Sequence, residues 1–65
     1  MKILLDKVLN ERNLTIRQVS MLTGVPRSTL SDILSEKTSP RMETMEQLAA
    51  GLKVHISDLY ESVYK

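Results

Sequence analysis

The chain has no cysteine, tryptophan or phenylalanine, and its only aromatic residues are Tyr60 and Tyr64. Without cysteine, neither disulfides nor thiolate metal sites are there to staple a small fold. Without large aromatics the core has to be aliphatic, with four methionines to fill its gaps. No apolar run approaches the ~18 residues of a membrane span. The opening MKILLD is too short and too soon charged to read as a signal peptide. The expectation is a soluble, cytoplasmic protein that makes no use of a membrane.

An excess of one charge is also missing. Nine basic and eight acidic residues leave a net charge of +1, a weak argument for a nucleic-acid partner. The distribution says more. Residues 1–14 set three cations against two anions, for +1; residues 15–41 set four against two, for +2; residues 42–65 set two against four, for −2. The positive stretch is also where the chain turns most sharply. With 65 residues, 42% of them hydrophobic and 26% charged, the chain makes one domain, spanning 1–65. It sits near the lower limit at which an apolar core suffices. Close helix packing, a partner subunit or both are required.

The apolar spacing predicts helices throughout. Leu5, Val8 and Leu9 fall at i, i+3, i+4, with Leu4 beside them, in a first helix over 1–13 that ends at Asn13, a residue tolerant of left-handed geometry. Thr15 opens a second helix with a capping-box pattern, since Gln18 stands three residues on. Val19, Ser20 and Thr23 form its inward row; Leu22 is expected partly buried and Met21 partly exposed. Gly24 supplies the freedom for a tight corner, Val25 plugs it, and Pro26 suits the first turn of a third helix over about 26–35. Leu30, Ile33 and Leu34 point inward from that helix, leaving Arg27, Ser28, Ser31 and Asp32 outside. Ser39-Pro40 reads as the start of a fourth helix over 40–52, with the stripe Met42, Met45, Leu48, Ala49 and Leu52. A short fifth helix over 56–63 follows. The expected fold class is all-α: a compact five-helix arrangement with a helix-turn-helix at helices two and three.

From Leu14 to Leu59 the chain resembles the lambda-repressor-like helix-turn-helix domain, the Cro/repressor or XRE type. The resemblance rests on Leu14-Thr15, Val19-Ser20, Gly24-Val25, Arg27-Ser28-Thr29-Leu30-Ser31, Lys37, Pro40, Met45-x-x-Leu48-Ala49 and Ser57-Asp58-Leu59, in that order and spacing. It implies a third helix in the major groove of double-stranded DNA and a second helix across the backbone. The chain departs from the pattern at five positions. Ile16 stands where a polar residue, often Gln, is usual. Leu9 and Leu34 stand where many members have an Arg–Glu pair, Glu36 where Gly is common, and Lys53 where Gly or Asn is common.

Under that resemblance Arg27 is the leading base reader, because a guanidinium can take guanine O6 and N7 together. Ser28 and Ser31 share its face and are short enough for close approach. Asp32 can accept from cytosine N4, can repel phosphate and so disfavour wrong registers, or can be plain surface. Thr15, Arg17, Lys37 and Arg41 are the phosphate contacts. A single domain of this kind covers about half an operator, so a homodimer on a near-palindromic site is implied, with recognition helices about 34 Å apart. Tyr60, Val63 and Tyr64 are the expected dimer interface. With one histidine, no cysteine and no glycine-rich phosphate loop, neither catalysis nor a metal, cofactor or small-molecule ligand is expected. The function expected is a sequence-specific transcriptional regulator acting as a repressor. The alternative is a helix-turn-helix kept as a protein-interaction module, for which an apolar patch around Ile16, Met21 and Leu22 would argue.

Overall fold

Four α-helices, not five, carry the structure, a computed structural model that describes residues 1–64. They are α1 (Leu5–Arg12), α2 (Ile16–Thr23), α3 (Arg27–Leu34) and α4 (Met42–Leu52). The expected fifth helix is replaced by a single 3-10 turn, Ile56–Leu59. The chain then becomes extended at Tyr60–Glu61 (β2) and pairs antiparallel with Lys2–Ile3 (β1), Lys2 opposite Glu61 and Ile3 opposite Tyr60. The same pairing overturns the expectation that helix one begins at Met1. Leu4, its N-cap, donates its N–H to Leu59 O at 2.8 Å instead of joining a helical ladder. Both corrections have one cause. Short segments holding Ile3, Ile56, Tyr60 and Val63 are marginal helix formers, and each half of the ribbon satisfies the backbone of the other.

The core is aliphatic, as the missing aromatics require. Leu5 and Val8 from α1, Val19 from α2, Leu30 and Ile33 from α3, and Met45, Leu48 and Leu52 from α4 are all buried, with Val25 and Leu59 closing the corners. Each such side chain contributes roughly 1.5–3 kcal/mol on leaving water. Leu9 belongs to this cluster and Leu34 packs against it, so both positions are apolar contacts of the core. No buried polar or charged residue occurs among the described residues.

Three of the four helices end on a non-glycine residue in the left-handed region: Asn13 (φ 54°), Glu36 (φ 62°) and Lys53 (φ 57°). Each turn has the Schellman geometry, in which the amide beyond the left-handed residue reaches back five residues. Leu14 N–H donates to Leu9 O (2.9 Å), Lys37 N–H to Asp32 O (2.9 Å), and Val54 N–H to Ala49 O (3.0 Å). The burial of Leu14 and Val54 against the core fixes these reversals. Left-handed geometry costs a non-glycine residue roughly 1–2 kcal/mol, less for Asn. Arg12 adds a tie across the fold by donating its guanidinium to Leu52 O, one of the carbonyls that α4 leaves open at its end.

The fourth helix starts two residues later than the Ser39-Pro40 pattern suggests. Arg41 is its N-cap and provides no side-chain cap, and Met42 at the first helical position is 64% exposed rather than part of the stripe. Leu22 corrects the sequence reading as well: it is 55% exposed, beside Met21 at 79%. The reason is Gly51. A Cβ built there would lie 2.6 Å from Leu22 O and 2.7 Å from Thr23 Cα. The two helices therefore meet backbone to backbone at this point, and the Leu22 side chain has no room beneath it.

Candidate nucleic-acid interface

The corner between α2 and α3 is held by small polar side chains bonded to the backbone. Ser20 Oγ donates to Val25 O (2.7 Å), and Thr23 Oγ1 donates to Val19 O (2.7 Å) and accepts from Val25 N–H (3.2 Å). Gly24 takes φ +78° in this corner, and a Cβ there would meet nothing, so its requirement is conformational and not steric. Val25, buried, inserts between the helices. These contacts set the angle at which α3 leaves the body.

At the start of α2 the capping box forms as the sequence predicts. Thr15 Oγ1 accepts from Gln18 N–H (3.1 Å), and Thr15 N–H donates to Gln18 Oε1 (2.9 Å). Two of the four amides at this helix start are thereby used, leaving those of Ile16 and Arg17 without a partner among the described residues. The first turn of α3 is barer still. Pro26 is the N-cap, one position earlier than expected, and has neither an N–H nor a capping side chain. Leu30 N–H is the first to bond back, to Pro26 O at 3.1 Å. The amides of Arg27, Ser28 and Thr29 have no hydrogen-bond partner among the described residues.

The acids follow the same division. Helix α1 has Asp6 and α4 has Glu43 in the first turn, where a carboxylate offsets the positive end of the helix dipole. Helices α2 and α3 have none. Two neighbouring helix starts thus present free amides and an uncompensated positive end, an arrangement suited to anions such as phosphate. The sequence pattern points to the amides at the start of α2 as phosphate contacts, but not to those of α3, because it places Pro26 inside that helix. The signal was there in the absence of acid from both first turns.

The expected site residues fall into three groups. Arg27, Ser28 and Ser31 are exposed along one face of α3, opposite the buried Leu30 and Ile33, while Asp32 borders that face and is half-buried. Thr15 and Arg17 are exposed at the start of α2; Lys37 follows the left-handed turn after α3; Arg41 caps α4. Among the described residues, no hydrogen bond or ion pair ties down the side chains of Arg17, Arg27, Lys37 or Arg41. The third group divides. Tyr60 is half-buried against the core in the ribbon, whereas Val63 and Tyr64 are 92% and 94% exposed and share a shallow cavity with Met1 and Lys2. Ile16 packs partly on the core and does not extend an outward apolar patch with Met21 and Leu22.

A family profile described as Helix-turn-helix matches residues 5–59. Neither the curated proteins nor the solved structures give a significant match. The matched span runs from the first residue of α1 to the end of the 3-10 turn, and so takes in all four helices and the corner they build. The chain belongs to the helix-turn-helix family of the XRE, lambda-repressor-like type, a family of DNA-binding regulators.

Proposed function

We propose that this chain is a sequence-specific transcriptional repressor of the cytoplasm, binding a near-palindromic operator as a homodimer with α3 in the major groove. The reading rests above all on the paired helix starts of α2 and α3, whose free amides and absent acids favour phosphate beside an exposed Arg27-Ser28-Ser31 face. In this reading Arg27 takes a guanine edge, Ser28 and Ser31 allow close approach, and Asp32 accepts from cytosine N4 or excludes wrong registers. Arg17, Lys37, Arg41 and the Thr15 hydroxyl, together with the amides of Ile16 and Arg17, hold phosphates. Occupying the groove then blocks transcription by exclusion.

One copy presents a single reading helix, and a second copy doubles the contacts. The exposed pair Val63 and Tyr64 beside Met1 supplies apolar surface that the core does not use, and with Tyr60 it forms the proposed two-fold contact. The 1–65 span acts as a single domain in this scheme.

Selection of bound sequences from a random duplex library tests the reading directly. The expected product is an inverted repeat with half-site centres about one helical turn apart. Arg27→Ala should relax the preference at one base position in each half-site. Lys37→Ala should weaken binding to every sequence and lower the salt slope by about one. A library that yields no enriched sequence, with no salt-dependent retardation at micromolar protein, defeats the proposal. A second reading, a protein-interaction module, is favoured by one observation: the exposure of Met21 and Leu22. It predicts a partner whose binding is lost in Met21→Asp while DNA binding is kept.

A further inference from the structure

Glu36 breaks two local rules at once. It adopts φ +62° with a Cβ, in a turn where glycine is unstrained. Its carboxylate also stands at the C-terminal end of α3, where the helix dipole disfavours a negative charge. No ion pair or side-chain hydrogen bond of Glu36 offsets either term among the described residues. The side chain is exposed, it accepts no hydrogen bond among the described residues, and the cleft it borders holds Asp6 as well as Lys2. Folding therefore gives no reason for an acid here, and a local rule broken without a folding benefit points towards function. What the position does offer is proximity: Glu36 immediately precedes Lys37, and Lys37 N–H is bonded to Asp32 O, so the turn is rigid at the end of the recognition helix.

We propose that Glu36 is an electrostatic brake on DNA affinity: a fixed negative charge at the end of α3 that opposes the phosphate backbone and limits how tightly each subunit holds any duplex. The inference rests on the DNA-binding reading above. Because phosphates are the same in every sequence, the brake acts on affinity and salt dependence and leaves base preference alone. That separates it from Arg27, whose loss changes preference, and from Asp32, whose carboxylate lies beside the reading face.

The test uses the full chain with Glu36→Gln, which removes the charge but keeps the Cβ, and Glu36→Gly, which removes charge and strain together. Binding to the selected operator duplex and to an unrelated duplex is followed by fluorescence anisotropy over a salt series, alongside thermal melts. Glu36→Gln should tighten both duplexes by about three- to tenfold at low salt and steepen the salt slope by up to about one. The ratio between the duplexes should stay within about twofold, and the melting temperature should rise slightly, because an unfavourable charge at the helix end is removed. Glu36→Gly should reproduce the tightening and melt higher still. Affinities within about twofold of the parent for Glu36→Gln, or weaker ones, overturn the brake. If the parent itself binds neither duplex, the DNA-binding reading falls, and the brake falls with it.

Discussion

The α2–α3 corner and the terminal ribbon are both short, but they are held in different ways. At the corner, each side-chain hydrogen bond comes from a neighbour within a few residues: Ser20 on Val25, Thr23 on Val19 and Val25, Gln18 on Thr15. In the ribbon, the constraint joins residues nearly a whole chain apart, Lys2 with Glu61 and Leu4 with Leu59. Local side-chain bonds of this kind can be read from residue types at fixed offsets. A two-residue strand pair cannot, because either half becomes a strand only when the other is delivered to it by the rest of the fold.

Four variants put pressure on that contrast. The largest effect is expected at Gly51, which presses α4 against the backbone under the corner. Gly51→Ala places a Cβ at 2.6 Å from Leu22 O, and a urea titration should show a loss of about 2–3 kcal/mol. Parent-like stability would mean the helices can part without disturbing the corner. Next comes Thr23→Val, which keeps the shape and deletes both hydroxyl bonds. A loss of about 1–2 kcal/mol is expected because Val25 N–H is left without its acceptor; a smaller change would show that packing of Val25 alone sets the angle. Lys53→Gly relieves left-handed strain in a turn outside both regions and should add about 0.5–1 kcal/mol. Last, Val63→Ser with Tyr64→Ser should change folding stability by less than about 0.5 kcal/mol, since both side chains are solvent-exposed. The same double variant should weaken self-association about tenfold in sedimentation. A monomeric parent would remove the dimer contact from the proposal.

The contrast also explains which expectations held. Asn13 as a left-handed terminus, the Thr15–Gln18 box, Gly24 at the corner and buried Val25 all follow from local chemistry, and all are present. Where a residue's fate depends on a distant approach, local spacing misleads. Leu22 is uncovered because Gly51 brings backbone rather than side chains together, and Tyr60 is extended because Ile3 is there to pair with it. Met42 lies on the apolar stripe by spacing but has no neighbour above it at the start of α4. The candidate site lies between these extremes. Its side chains could be named from the pattern, but the free amides of α3 depend on Pro26 being the cap, a one-residue shift that spacing does not resolve.

The ribbon also has a consequence for chain connectivity. Because Lys2 and Glu61 are cross-strand partners, whatever precedes the first and whatever follows the second leave the body from the same spot. A short flexible bridge could therefore join the two ends into a ring, with new termini opened in the polar Lys37–Ser39 loop, as circular permutation favours ends that already lie close. The same proximity suits a tandem fusion, in which two copies are tethered at one corner and each presents its α3 independently of how strongly the copies attract one another.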